Sequence, residues 1–214
     1  MMKRSLCVMS LCAAGAVGVA NAQVSYTFDS TDEGWTSIND TSSFGWDGTL
    51  GNPPGAIRGV DRTSGAIWFF SAPAADLGDL SGLYGQSIDY DILGITGAQD
   101  DLEDLADVIL DGPAGRIGID IDVVPVVGQW TSWSATVSAG LGWKVVTSND
   151  GDLGADADEQ LIRDVLASVD SMYIRGEYTS GSDSAALDNV SFAPAPGTAA
   201  LLALGGIAGV RRRR

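Results

Sequence analysis

The chain has 214 residues, 28 of them glycine, and a formal charge of −16 carried on 28 acidic and 12 basic residues. It contains no histidine, which excludes Ser-His-Asp and Cys-His nucleophilic catalysis and histidine-ligated zinc. Its two cysteines, Cys7 and Cys12, both lie close to the N-terminus, so the body of the chain has no disulfide framework.

Charge is unevenly placed. Lys3, Arg4 and Arg211 to Arg214 are six of the 12 basic residues, so between Gln23 and Pro194 only six face all 28 carboxylates. Such a surface repels nucleic-acid phosphates and anionic membrane. It suits an exported protein in a salty or calcium-containing medium. Short Val, Ile, Thr and Trp runs divided by glycine favour many short strands, within one domain of roughly 150 to 200 residues.

Residues 1–22 read as a secretory signal. Lys3 and Arg4 form a positive n-region, Leu6 to Ala20 an apolar h-region, and Ala20-Asn21-Ala22 an A-x-A site with cleavage between Ala22 and Gln23. Val24 to Phe28 alternates as a first strand. A polar turn then leads to Trp35, and Trp46 follows in a glycine-rich loop. Asn52-Pro53-Pro54-Gly55 is a strong turn, and Arg58 to Arg62 leads into the next strand. Trp68, Phe69 and Phe70 place large groups on both faces of that strand, so both faces must be covered, as in an inner strand of a two-layer β structure. Pro73 ends it.

Ser87 to Leu93 alternates, with Ile88, Tyr90 and Ile92 on one face. Ala98 to Asp107 carries Asp100, Asp101, Glu103, Asp104 and Asp107, and reads as a solvated acidic insertion in which a helical turn is an alternative. Val108 to Leu110, Ile117 to Val123, Trp130 to Val137 and Gly140 to Val146 follow as strands. Asn149 to Glu159 fails the EF-hand pattern, because Ala155 stands where the obligatory glycine belongs. It reads instead as a turn before a helix, with Asp156 as N-cap and Glu159 completing a capping box. Leu161, Ile162, Val165, Leu166 and Val169 form that helix's apolar stripe, over about three turns. Met172 to Tyr178 and Ala186 to Phe192 are the last two strands.

Several blocks resemble one family. Trp-Phe-Phe-Ser-Ala-Pro, Leu-Gly-Asp, Tyr-Gly, Ile-Arg-Gly-Glu and Leu-Asp-Asn-Val, in this order between Phe28 and Phe192, resemble the laminin B domain (laminin IV type A). The chain departs from it at the acidic insertion and in having no cysteine-rich flanks. The opening Phe-Asp, then Gly-Trp, resembles jelly-roll domains of the carbohydrate-binding-module type. Together these imply an all-β jelly-roll sandwich with one short helix over residues 23–193. Residues 194–214 resemble a PEP-CTERM sorting tail. Pro194-Ala195-Pro196-Gly197 stands for its Pro-x-Pro motif, with Ala195 where that motif usually has Glu. An apolar run and four arginines follow. That resemblance implies sorting machinery of the exosortase type and transient membrane association through the tail. It further implies that the tail initially tethers the protein to the inner membrane, on its way to the envelope, outer surface or extracellular matrix.

Four sets of candidate residues follow. The carbohydrate-binding-module resemblance implies a structural calcium held by Asp188 with Asp29, Asp32 or Glu33. The alternative is that Asp188 caps a turn or pairs with Arg175. Arg175 and Glu177, two apart on a strand, form a structural ion pair. Among the six tryptophans, core packing competes with stacking on sugar rings. Trp46, Trp133 and Tyr84 are the candidate ligand-binding aromatics, and Trp130 and Trp133 differ in parity, so they face opposite sides. Catalysis would rest on carboxylates alone, and no spacing selects a glycosidase pair. The expected function is therefore a non-catalytic module binding extracellular polysaccharide. A surface protein acting through protein partners is the alternative, and a carboxylate-only hydrolase stands behind both.

Overall fold

The computed structural model describes residues 23–62, 65–97, 104–122, 124–179 and 181–192. The expected signal segment up to Ala22, most of the acidic insertion, and the tail with Pro194, Pro196 and Gly197 lie outside these residues. Among the described residues, no helix is long and apolar enough to cross a membrane.

Thirteen strands are present among the described residues: β1 (Val24–Tyr26), β2 (Thr36–Ile38), β3 (Thr41–Asp47), β4 (Ala56–Asp61), β5 (Phe69–Ser71), β6 (Ser87–Thr96), β7 (Val108–Gly112), β8 (Gly115–Ile119), β9 (Trp130–Thr136), β10 (Lys144–Val146), β11 (Leu153–Asp156), β12 (Ser171–Arg175) and β13 (Ser184–Phe192). Helix α1 covers Glu159–Leu166. One sheet has the order β3-β4-β13-β6-β9, with β1 paired to the far half of β13; the other runs β11-β10-β8-β7-β12-β5-β2. The named pairs are antiparallel, and β13 is central to its sheet although it comes last in the chain.

The core lies between the sheets. Ile88, Tyr90 and Ile92 of β6 point into it, opposite Ala135, Trp133 and Thr131 of β9. Trp68 and Phe70 meet edge to face there, at 4.8 Å between ring centroids. Each aromatic or aliphatic side chain fully buried here contributes roughly 1.5–3 kcal/mol. Phe69 points the other way, into a smaller cluster with Ala106, Ile109 and Val146. This is the two-faced burial that three consecutive aromatics imply. The strand ends at Ser71, and Pro73 opens a short 3-10 turn.

The helix differs from expectation at its start. Asp158 is the N-cap, its carboxylate accepting from Leu161 N at 2.8 Å. Asp156 instead ends β11 and pairs with Lys144 of β10. A hairpin therefore occupies residues read as a turn, and the helix has eight residues. Ile162, Val165 and Leu166 are buried as the stripe requires. Val169 is also buried, but past the helix, where it exchanges two backbone hydrogen bonds with Gly78. Gly78 has φ +106°, a conformation open to glycine and strained for other residues.

Candidate functional site

Two of the family-like blocks have structural explanations. The indole of Trp68 lies against Gly59 and Gly176: a Cβ on either glycine would stand 2.5 or 2.1 Å from its ring. Trp68 N donates to Glu177 Oε2 at 3.2 Å, and Trp68 Nε1 donates to Asp183 Oδ1 at 3.3 Å. Arg175 forms its ion pair with Asp107 at 2.9 Å rather than with Glu177. The reason is that β12 ends at Arg175, so the strand alternation that would align the two is lost. Ile-Arg-Gly-Glu is thus a clamp: the arginine anchors the 104–107 segment, the glycine makes room for an indole, and the glutamate holds that indole's backbone. Asp107, expected in a solvated loop, is fully buried and also accepts from Tyr178 Oη and Ile121 N. Burial pushes its carboxyl up to about 6, partly offset by Arg175.

Leu-Asp-Asn-Val makes a bulge in β13. Leu187 and Val190 enter the core, while Asn189 takes φ +50°. Asp188 is fully buried and accepts from Asn52 N at 3.0 Å and Asn189 N at 2.7 Å. Asn189 Nδ2 reaches Asn52 O and Asp91 Oδ2. Burial holds the Asp188 carboxyl above its ordinary value. This block therefore ties the 50–55 turn to the last strand. Glu33 Oε1 accepts from the backbone N–H of Thr27 and Phe28, and Asp29 accepts from the Thr27 hydroxyl. Among the described residues no group of three or more carboxylates is placed to hold a metal ion.

The candidate aromatics separate. Trp133 is 5% exposed and stacks on Tyr90 in the core, because its parity on β9 points inward; it is corrected from ligand contact to packing. Tyr84 is half-buried, and the guanidinium of Arg163 covers its ring at 3.7 Å. Trp46 is 44% exposed but sits on β3, not in a loop. Its Nε1 donates to Phe28 O at 2.6 Å, and its ring lies over Gly48.

What sequence reasoning missed is the outer face of the β3-β4-β13-β6-β9 sheet. Register places Gly45, Arg58, Ala186, Leu93 and Trp130 in one row across five strands. In the middle of the row Ala186 and Leu93 are buried with Ala56 in a small apolar cluster, packed beneath the partly buried Leu50, Ile95 and Trp130. At the β3 end of the row, a solvent-facing cavity of about 260 Å³ is lined by Ser43, Gly45, Trp46, Asp47, Arg58 and Val60. The Thr49 hydroxyl and N–H hold Asp47 below the usual carboxylate range, and Arg58 adds to this. The parity of Arg58 against core-facing Ile57 was the available signal.

The two antiparallel layers and this arrangement of strands define a jelly-roll β-sandwich. The chain belongs to the Laminin B (Domain IV) family, whose profile matches residues 69–202. Among solved structures it is similar to the L4b domain of human laminin alpha-2, at 14% identity over 81% of this chain and 97% of that one, with a TM-score of 0.58. It is also similar to an exo-beta-agarase, at 13% identity over 80% of this chain, with a TM-score of 0.52; it spans 25% of the agarase chain. The C-terminal family 22 carbohydrate-binding module of Clostridium thermocellum Xyn10B matches at 12% identity over 84% of this chain and 96% of the module, with a TM-score of 0.47. No curated protein matches the sequence.

Proposed function

We propose that this protein is an exported, non-catalytic binding module of the cell envelope or extracellular matrix, and that the outer face of its β3-to-β9 sheet holds a glycan. The observation that carries the reading is the solvent-facing cavity at the β3 end of the cross-strand row, where Gly45 and Arg58 are paired. The row opens to solvent at its β3 end, where the cavity sets a charged donor, Arg58, beside an acceptor, Asp47, with the exposed Trp46 in its lining. Sugar rings need this mixture, since their C–H faces stack on aromatics while their hydroxyls take directed hydrogen bonds. The signal segment and sorting tail support export, with the exosortase-type machinery as the expected partner of the tail.

Gly45 supplies the test. A Cβ built there meets nothing within 4 Å, so Gly45→Leu should fold with its side chain directed into the cavity. On an array of bacterial and plant polysaccharides, run with calcium and with chelator, the expected result is saturable binding by the parent protein, lost in Gly45→Leu and in Trp46→Ala; loss with chelator adds a metal to the site. A folded protein that binds no polysaccharide sinks the reading and leaves the surface protein acting through protein partners.

A further inference from the structure

Arg58 is unusual among the described arginines. Arg62, Arg116, Arg163 and Arg175 each have a carboxylate within 4.0 Å. Arg58 has none among the described residues at that distance, although the chain carries 28 acidic residues, and its buried Nε has no hydrogen-bond acceptor. Its guanidinium lines the 260 Å³ cavity beside Asp47. Asp47 is close enough for Arg58 to lower its carboxyl's proton affinity, yet not close enough to form an ion pair. A donor fork and an acceptor therefore flank one small opening, with the Ser43 side of β3 beside them.

The rest of the outer face carries further carboxylates. Asp89 and Asp91 alternate with the core residues of β6, so they project on the side of Arg58, where Asp89 accepts from Ser134 Oγ and Asp91 from Asn189 Nδ2. A polyanion entering the cavity would satisfy Arg58 but would face Asp47 there and the carboxylates of the outer face beyond it, and like charges brought together raise the energy of the complex. A neutral polyol has no such penalty. Its hydroxyl oxygens accept from the guanidinium, and a neighbouring hydroxyl donates to the Asp47 carboxylate.

Resting on the glycan reading above, we infer that this groove selects uncharged polysaccharide, with Arg58 and Asp47 bridged by adjacent hydroxyls of one sugar ring, and rejects uronate-rich and sulfated polymers. The experiment is affinity electrophoresis of the full protein in gels holding laminarin, xyloglucan or agarose, against gels holding alginate, polygalacturonate or dextran sulfate. The expected result is retardation by at least one neutral polymer and none by the anionic set. Neutral binding should be unchanged between about 0.05 and 0.5 M NaCl, where screening alters charge pairing but not neutral hydrogen bonds. Arg58→Met should weaken it on the order of tenfold or more, since a hydrogen bond to a charged group is lost. Arg58→Lys, which keeps the charge without the fork, should weaken it as well while preserving the thermal transition. Salt-sensitive retardation by the anionic polymers overturns the inference and leaves the glycan reading standing. Neutral binding that Arg58→Lys and Arg58→Met both leave intact, with normal melting, also overturns it. No retardation by either set removes the glycan reading itself.

Discussion

A methyl group added at Gly176 would lie 2.1 Å from Cη2 of Trp68, and one at Gly59 would lie 2.5 Å from the same ring. Neither glycine is needed for its backbone angle; both are needed for space. Trp68 cannot withdraw, because its backbone and indole N–H groups are held by Glu177 and Asp183 from two directions. Gly176→Ala should therefore destabilise the fold by about 1–3 kcal/mol, the usual cost of overpacking a well-filled core. Chemical denaturation of Gly176→Ala beside Gly45→Ala checks this. The second substitution enters open space and should be close to neutral, so equal loss from both would contradict the packing argument.

At the scale of elements, α1 and β13 show how a short side chain sets a boundary. The Asp158 carboxylate takes the Leu161 N–H at the start of α1, whereas Asp156, two residues earlier, belongs to the β10-β11 hairpin. Asp158→Ala should cost about 1 kcal/mol, the typical value of an N-cap. Asp156→Ala should cost markedly less, and thermal melts of the two variants separate the assignments. In β13 the Asp188-Asn189 bulge places one carboxylate and one amide on the 50–55 turn, which leads directly into β4 and Arg58. The turn clamp and the groove thus share a strand. Aspartate in this place satisfies two backbone donors, Asn52 N and Asn189 N.

Across the whole molecule, acidity is coupled to stability. Glu177 is pushed up to about 7 and Asp183 to about 6, in each case chiefly by burial, with neighbouring carboxylates including Asp61 adding to the effect. Their ordinary values are 4.5 and 3.8. Between these ordinary values and the raised ones, the folded protein holds more protons at these groups than the unfolded chain. Stability therefore falls as pH rises through that window and is regained on acidification. The melting temperature should rise as pH is lowered from about 8 to about 5, opposite to the behaviour of a protein held by salt-bridged carboxylates. Glu177→Gln, which keeps the acceptor for Trp68 N–H, should flatten the profile and raise the melting temperature most at the alkaline end. A Glu177→Gln profile parallel to the parent would exclude Glu177 as a source of the slope. Overall negative charge adds to the same trend, since self-repulsion grows as carboxylates ionise.

Local pattern decided much of this molecule in advance. Alternation in Ile88, Tyr90 and Ile92 placed a core face, the triple aromatic run required cover on both sides of β5, and the Leu161-to-Leu166 stripe required a helix resting on apolar neighbours. Those periodicities are properties of consecutive residues, so they can be read without knowing what lies opposite. The motif order from Trp68 to Val190 likewise pointed to the laminin B fold. Partnership could not be read in the same way. Arg175 finds Asp107 across 68 positions of chain, and Trp130 reaches the row of Arg58 only because β6 and β13 intervene. The same lack of partners misassigned Trp46, read as a loop residue, and Trp133, read as a ligand-binding aromatic. Composition restricted the chemistry to carboxylates, hydroxyls, a few guanidinium groups and aromatic rings. Which of them share a face was decided by strand register, because a side chain's neighbours across a sheet are set by hydrogen bonding between segments remote in sequence.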